Sequence, residues 1–216
     1  MYLKKIVASG FKSFADKITI DLTDGITGIV GPNGSGKSNV VDAVRWVLGE
    51  QSAKSLRGDK LEDVIFVGTD TKRSMNYCEV AITLDNSNDE FNLGFSEITI
   101  KRIAYRNGES EFFLNNKSCR LKDIKELLLD TGIGKDGYSI VEQGKVDEIL
   151  SNNPVNRRKV FDEACGISKF RYKKQEAERS LKHTKENLER IDDIYVEIEK
   201  QLNPLFLQQE KAVKYL

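Results

Sequence analysis

The stretch that decides the fold is Gly31-Pro32-Asn33-Gly34-Ser35-Gly36-Lys37-Ser38. It satisfies the phosphate-binding pattern G-x-x-x-x-G-K-[ST] at every fixed position. Its glycines can take positive φ angles, which turn backbone N–H groups inward around an anion. The stretch therefore predicts a site for a nucleoside triphosphate. The alternative is a glycine-rich turn followed by a chance Lys-Ser.

The flanking sequence supports the nucleotide interpretation. Residues 25–30 predict a short buried strand, and residues 39–47 predict the amphipathic helix that should follow the loop. A helix that begins at the loop presents free N–H groups and the positive end of its dipole to the β-phosphate. We expect Lys37 to bridge the β- and γ-phosphates and the Ser38 hydroxyl to bind Mg²⁺.

Composition limits the classes of partner. The 216 residues carry 34 Lys plus Arg and 34 Asp plus Glu, so any contact with DNA must come from a local basic patch. The amino terminus lacks an apolar run of signal-peptide or membrane-span length, which predicts a cytoplasmic protein with no membrane partner. Cys78, Cys119 and Cys165 form no C-x-x-C pair and predict reduced structural thiols. The single histidine, His183, predicts a solvated surface residue.

The first part of the chain is rich in predicted strands. Asn107-Gly108 predicts a hairpin turn, and Asn115-Asn116-Lys117 predicts a tight connection into a helix over 121–129. These elements around one phosphate-loop helix predict an α/β fold whose mixed sheet has an antiparallel flank. Alternation and β-branched runs predict strands at 2–8, 18–22, 25–30, 64–67, 79–84, 97–105 and 111–114.

From about Pro154 the pattern changes to helical spacing. Steps of four and three residues from Phe170 to Leu216 visit mostly apolar positions, and every position from Leu188 to Leu205 on this seam is apolar. A heptad seam of this length predicts a coiled-coil helix about 70 Å long, with packing along the protein's own surface as the alternative. Pro204 lies off the seam and would kink or loosen the helix. We expect a globular part over 1–165 and a helical arm over 166–216.

The machinery for hydrolysis is incomplete in this sequence. We expect Gln143 to be an amide ligand for Mg²⁺ or for the attacking water. The run Val80 to Asp85 superficially matches the apolar strand that ends in a metal-binding Asp. Its alternation suits a half-exposed strand, however, and no Glu follows the Asp. No acidic residue has a convincing claim to be the catalytic base.

Several further runs are more specific than the phosphate loop. They are Gly10-Phe11-Lys12-Ser13-Phe14, Arg45-Trp46-Val47-Leu48-Gly49-Glu50-Gln51-Ser52, Ser55-Leu56-Arg57-Gly58, Gly108-Glu109-Ser110-Glu111-Phe112, Cys119-Arg120-Leu121-Lys122-Asp123-Ile124 and Gln143-Gly144-Lys145-Val146. Together with residues 31–39, they resemble the amino-terminal head segment of bacterial structural-maintenance-of-chromosomes (SMC) proteins. The resemblance covers the whole chain.

The resemblance implies an ABC-type P-loop ATPase head lobe that uses ATP and Mg²⁺, followed by a coiled-coil arm. In such proteins a carboxy-terminal lobe carries the signature motif, the metal-binding Asp and the catalytic Glu, so this segment alone should be nearly inactive. Implied partners are that lobe, a second SMC subunit in a homodimer, a kleisin at the neck and double-stranded DNA of the nucleoid. The implied function is chromosome condensation and segregation. The alternatives are a related ATPase of double-strand-break repair and a non-enzymatic coiled-coil module.

Site residues also follow from the resemblance. Lys12 and Ser13 resemble phosphate-side contacts, and Gln143 resembles the Q-loop glutamine that shares Mg²⁺ with Ser38. Arg57 resembles an arginine that reaches the nucleotide or the partner head, with a simple surface arginine as the alternative. The expected catalytic set comprises Lys37, Arg57 and Gln143. The segment Asp63 to Phe66 resembles the lining of the adenine. Basic positions that face DNA in the family correspond to Lys60, Arg120 and Lys122, with simple solvated residues as the alternative. The phosphate loop comprises Pro32, Asn33, Gly34, Ser35, Gly36, Lys37, Ser38 and Asn39.

Overall fold

The computed structural model describes residues 2–129, 140, 158 and 167–215. The chain divides into two compact units, Met1–Ile167 and Ser168–Leu216. The expectations for Gln143 and Cys165 lie outside the described residues. In the described part of the chain, no helix is long and apolar enough to cross a membrane.

The first unit is built on a six-stranded sheet in the order β2-β1-β3-β4-β5-β6. Every neighbouring pair of these strands is antiparallel, so the described sheet corresponds to the antiparallel flank of the predicted fold. The strands are β1 (Leu3–Ser9), β2 (Ile18–Asp21), β3 (Tyr77–Asp85), β4 (Glu97–Tyr105), β5 (Ser110–Leu114) and β6 (Lys117–Cys119).

Burial alternates along the two central strands, because successive side chains point to opposite faces of a sheet. On β3 the residues Cys78, Val80, Ile82 and Leu84 are buried, and their neighbours are partly exposed. The same alternation follows β4. This pattern is typical of a sheet with one covered face, and it confirms the half-exposed strand expected for Val80 to Asp85.

Helix α1 (Lys37–Val47) packs against β3 and β4. Ala43, Trp46 and Val47 on this helix have no exposed surface, and the ring of Trp46 lies 5.4 Å from the ring of Phe11. Burying a large aromatic side chain contributes about 1.5–3 kcal/mol relative to leaving it exposed. The core therefore fixes α1, whose amino end carries the phosphate loop, on the sheet.

Two asparagine-containing turns connect the last three strands. Gly108 takes φ +86° in the β4–β5 hairpin, which confirms the Asn-Gly turn. Asn115 and Asn116 also take positive φ angles, of 46° and 65°. The connection predicted from them into a helix was wrong, because β6 intervenes and their turn closes the β5–β6 hairpin. Helix α2 (Leu121–Leu129) follows, as predicted.

Two predicted strands do not form. Residues 25–30 have no strand assignment, and Ile26 and Val30 are almost fully exposed. A strand needs neighbours for its backbone N–H and C=O groups, and none of the described strands lies beside this segment. Residues 64–67 instead begin within a 3-10 turn over Leu61–Val64, and among them only Ile65 forms an isolated bridge, with Phe11. Burial in the core accounts for the apolar character of Val64 to Phe66.

The second unit is one continuous helix, α3 (Ser168–Tyr215), of 48 residues. It runs through Pro204, so the helix does not end there. The apolar side chains of its seam are exposed in this unit. They are Phe170, Leu181, Leu188, Ile191, Tyr195, Ile198, Leu202 and Leu205.

Candidate nucleotide site

The glycine-rich loop leads directly into the first turn of α1. Gly34 and Gly36 take φ angles of +81° and +90°, in the left-handed region that glycine occupies without a steric penalty. Gly36 is the residue before the helix, and a Cβ placed on it would lie 2.9 Å from Ser13 Oγ. The loop therefore needs glycine at position 36 for both its conformation and its space. Because α1 begins directly after the loop, the N–H groups of its first turn face the loop.

Lys37 folds back over this loop. Its Nζ donates to the carbonyl oxygens of Gly31 and Pro32, at 2.7 Å each. These contacts hold a positive charge beside the positive end of the α1 dipole. A helix amino terminus, two glycines with positive φ and a lysine ammonium together fit the phosphates of a nucleotide.

The first turn of α1 is also bound to two other segments. Asn39 Nδ2 donates to Ser13 Oγ at 2.7 Å, which joins the helix to the loop after β1. Arg57 Nη1 donates to Ser38 Oγ at 2.9 Å. The structure thus brings together five of the predicted site residues, Ser13, Lys37, Ser38, Asn39 and Arg57, at one end of α1.

A buried carboxylate lies at the centre of this arrangement. Asp42 is 4% exposed, and its Oδ2 accepts hydrogen bonds from both Lys12 Nζ and Arg57 Nη2. Lys12 Nζ also donates to the carbonyl oxygen of Leu56. Sequence reasoning missed Asp42. The available signal was its spacing, because residues four apart on a helix share a face and Asp42 follows Ser38 by four.

Both cations on Asp42 have unusual backbones. Lys12 takes φ 49° and Arg57 takes φ 58°, values that are uncommon for residues other than glycine. Lys12 N donates to Val64 O at 2.7 Å, and Arg57 N donates to Lys54 O at 3.0 Å. Such conformations persist where surrounding contacts impose them, and they cluster at functional sites.

A second buried polar cluster supports the segment that carries Arg57. The Glu50 carboxylate accepts hydrogen bonds from the backbone N–H groups of Gln51 and Ser52, and it lies 3.5 Å from Arg45 Nη2. Arg45 Nη1 donates to the carbonyl oxygen of Ser55 at 2.9 Å. These bonds fix the turn after α1 and the 3-10 turn over Lys54–Leu56. They therefore set the position of Arg57, which directly follows that 3-10 turn.

Arg102 ties this turn to the sheet. Its Nη1 donates to the carbonyl oxygens of Trp46 and Glu50, at 2.9 and 2.8 Å. Burial lowers the pKa of Arg102 to about 10. The sequence motif contains Trp46 and Glu50, but their pairing with a strand residue 56 and 52 positions away was not predicted.

The remaining predicted nucleotide contacts have structural partners of their own. Asp63 Oδ2 accepts hydrogen bonds from the N–H groups of Lys60 and Asp59, and these bonds lower the pKa of Asp63. The Phe66 side chain is buried. Their proposed contact with adenine stays a prediction. Pro32, Asn33, Gly34 and Ser35 are exposed along the loop.

The three predicted DNA contacts lie on the surface. Lys60 is exposed and directly precedes the 3-10 turn over Leu61–Val64. Arg120 is exposed before α2, where its N–H donates to Asp123 Oδ2 at 2.8 Å. Lys122 on α2 lies 3.7 Å from Glu126. His183, also exposed, contacts Asn187 on α3.

Comparison with known proteins places this arrangement in a family. The RecF/RecN/SMC N terminal domain family matches residues 2–202. The chain belongs to this family. The resemblance to SMC heads expected from the sequence is therefore confirmed, as is the α/β head fold with its long helix.

A relative from Clostridium kluyveri, called chromosome partition protein Smc, is 55% identical over 216 residues. The match covers 100% of this chain and 18% of that relative, so the chain spans about a fifth of its length.

Two solved structures of SMC proteins are similar. One is described for the ATP-driven dimerization and DNA-stimulated activation of SMC ATPases; it has a TM-score of 0.69 and 36% identity, covering 76% of this chain and 99% of that one. The other is a Pyrococcus furiosus Smc head domain with an extended coiled coil, bound to the C-terminal domain of ScpA. It has a TM-score of 0.73 and 38% identity, covering 88% of this chain and 48% of that one.

Proposed function

We propose that this chain is the ATP-binding part of the head of an SMC protein that acts in chromosome condensation and segregation. The observation that carries the proposal is the convergence at the amino end of α1, where Lys37, Ser38 and Arg57 meet the glycine loop. Lys37 and the N–H groups at the amino end of α1 bind the phosphates of ATP. Ser38, together with Gln143, holds Mg²⁺, which neutralises phosphate charge when bound.

The chain's own residues bind ATP but do not complete its hydrolysis. The carboxylate of the α1 site, Asp42, is buried between Lys12 and Arg57 and is therefore unsuited to accept a proton from water. Activation of water requires a carboxylate positioned by its surroundings for that purpose. We propose that this group, the signature motif and the second metal-binding Asp come from the carboxy-terminal lobe of the head, and that this segment alone is nearly inactive.

A docking surface for that lobe lies beside the phosphate loop. The segment 25–30, which pairs with no strand in the described part of the chain, exposes Ile26, Ile29 and Val30. A groove of about 390 Å³ lies next to it, lined mainly by apolar residues that include Ile6, Val40 and Val44. A segment that pairs with none of the described strands, beside an apolar groove, suits the addition of further strands. We propose that the carboxy-terminal lobe supplies them, which completes the mixed sheet predicted from the sequence.

The other partners are proposed from the relatives. A solved SMC ATPase dimerises with ATP and is activated by DNA, which supports head engagement between two subunits and the exposed Lys60, Arg120 and Lys122 as DNA contacts. Their contribution is phosphate binding without base readout. Binding of ScpA by another SMC head supports a kleisin partner, which we place at the α3 neck. The protein would then associate with the nucleoid in the cytoplasm.

Two rival functions remain testable. A repair ATPase of related architecture would share the nucleotide site, but the similar full-coverage relatives are named chromosome partition proteins. A purely structural coiled-coil module would have no nucleotide affinity. Because Gly36, Lys37 and Ser38 have the geometry described above, the site favours the ATPase.

Complementation tests the proposal. Residues 1–216 and the separately produced carboxy-terminal lobe should each hydrolyse ATP very slowly, and their mixture should regain turnover. Lys37→Ile should abolish the regained activity, whereas the exposed Lys17→Ile, a matched control outside the loop, should leave it intact. Strong hydrolysis by residues 1–216 alone, insensitive to Lys37→Ile, would contradict the composite site.

A further inference from the structure

Arg57 is held by three side chains of α1. Its Nη1 donates to Ser38 Oγ at 2.9 Å, and its Nη2 lies 3.4 Å from Asn39 Oδ1. Nη2 also forms an ion pair with Asp42 Oδ2. The Asp42 side chain is 6% exposed and the Arg57 side chain is 53% exposed. A buried carboxylate thus fixes a guanidinium that otherwise faces solvent.

This position of Arg57 conflicts with one role proposed for Ser38. The hydroxyl oxygen that accepts from the guanidinium is the same atom that would bind Mg²⁺. A guanidinium and a divalent cation on one oxygen would lie only a few ångströms apart, and like charges at that range repel strongly. Binding of Mg²⁺ at Ser38 therefore requires Arg57 to move away.

Asp42 can release Arg57 without becoming an unpaired buried charge. Lys12 Nζ, whose side chain is 14% exposed, binds the same Oδ2 and is also held by the carbonyl oxygen of Leu56. Lys12 is therefore the enclosed partner of Asp42, and Arg57 is the solvent-facing one. Leaving a buried carboxylate with no cation would be far more costly.

We propose that Asp42 is a positioning residue that holds Arg57 on Ser38 and so opposes Mg²⁺ at that hydroxyl. When Mg²⁺ arrives with ATP, the guanidinium leaves Ser38 and becomes free to contact the bound phosphates or a second subunit. The inference rests on the proposed function, because it concerns the Mg²⁺ of the same ATP site.

The test measures how much Mg²⁺ strengthens nucleotide binding. The full-length protein is titrated with a fluorescent ATP analogue, once in excess Mg²⁺ and once in EDTA, and the ratio of the two Kd values gives the Mg²⁺ enhancement. Asp42→Asn keeps the shape of the side chain and removes its charge. It should raise the Mg²⁺ enhancement about threefold to tenfold, because a charge-assisted bond to a half-exposed Arg57 is weakened.

A double-mutant cycle identifies the route of the effect. In an Arg57→Ala background, Asp42→Asn should leave the Mg²⁺ enhancement unchanged, whereas in a Lys12→Met background it should still raise it. Arg57→Ala alone should raise the enhancement as well. Because the Arg57 side chain is half-exposed, Arg57→Ala should fold even if Asp42→Asn does not, and it then tests the inference by itself. Thermal unfolding of each variant shows whether it is folded.

The outcomes separate the inference from the function on which it rests. An unchanged enhancement in Asp42→Asn or in Arg57→Ala would overturn the positioning role while ATP binding stands. An equal effect of Asp42→Asn with and without Arg57 would also overturn it. Absence of binding by the wild-type protein in both conditions would overturn the proposed function and the inference together.

Discussion

The guanidinium carbon of Arg102 lies 4.4 Å from the ring centroid of Trp46 and 5.0 Å from that of Phe112. The same guanidinium donates to the carbonyl oxygen of Trp46 in the last turn of α1 and to that of Glu50 just beyond it, while its buried Nε has no hydrogen-bond partner among the residues that the structure describes. Arg102 thus joins the central sheet to the helix that carries the phosphate loop.

Replacing Arg102 should destabilise the first unit. Arg102→Met keeps much of the apolar contact with Trp46 but removes two buried hydrogen bonds, so we expect a loss of about 2–4 kcal/mol in the free energy of unfolding. Urea denaturation measures this loss. Arg73→Met, at an exposed position, is the matched control and should change stability by less than about 0.5 kcal/mol. Equal stability of the two variants would show that the Arg102 cluster contributes nothing.

Gly36→Ala should impair nucleotide binding specifically. Gly36 takes φ +90°, and an added Cβ would lie 2.9 Å from Ser13 Oγ. We expect at least about a tenfold loss of affinity for ATP, because the loop and the start of α1 must shift. Gly94→Ala is the matched control, since Gly94 has φ +68° and open space around it. Both variants carry backbone strain, so a comparable loss of affinity in Gly94→Ala would contradict the role of the loop geometry.

The buried thiol of Cys78 should be unreactive and should make stability depend on alkaline pH. Burial raises the pKa of Cys78 to about 12 from an ordinary value of 9.0. The folded state therefore holds this proton more tightly than the unfolded state, and the resulting stability is present below pH 9 and lost as pH rises towards 12. We expect the free energy of unfolding, measured as a function of pH, to fall less steeply between pH 9 and 11 in Cys78→Ala than in the wild type. Parallel curves would contradict the raised pKa.

The exposed seam of α3 should bind a partner helix. Charged substitutions at Leu188, Ile191 and Tyr195 should weaken coiled-coil pairing or kleisin binding, because a buried apolar seam cannot accommodate charges. Glu186→Lys with Asp193→Lys, off the seam, is the control. Pull-down of the kleisin measures its binding, which should weaken. Titration with ATP measures the affinity for ATP, which should stay unchanged. Intact kleisin binding and intact pairing in the triple variant would remove the neck assignment.

Sequence reasoning succeeded where structure depends on local pattern. The bounds of β4 and α2 follow from alternation and helical spacing, so both were predicted to the residue. The glycine loop was predicted because all residues of its pattern are close together in the sequence. Residues 25–30 have the composition of a strand, but whether a strand forms depends on a neighbour that the described residues do not supply. Residues 64–67 are apolar because they are buried, which composition alone cannot separate from a strand.

The charged interior of the site could not be predicted in the same way. Asp42, Glu50 and Arg102 are each buried at 4% exposure or less. A single sequence gives no sign that Lys12, Arg57 and Asp42 meet, since they lie up to 45 positions apart and depend on two loops with positive φ angles. Only the spacing of Ser38 and Asp42 on α1 offered a local signal.

The central claim is that residues 31–38 bind the phosphates of ATP. Isothermal titration of the full-length protein with ATP and Mg²⁺ tests it most directly, with Lys37→Ala compared with Lys17→Ala. Removing the ammonium that the loop carbonyls hold should weaken ATP binding at least about a hundredfold, because a charge-assisted phosphate contact is lost, while Lys17→Ala should bind like the wild type. Equal dissociation constants for all three proteins would contradict the claim.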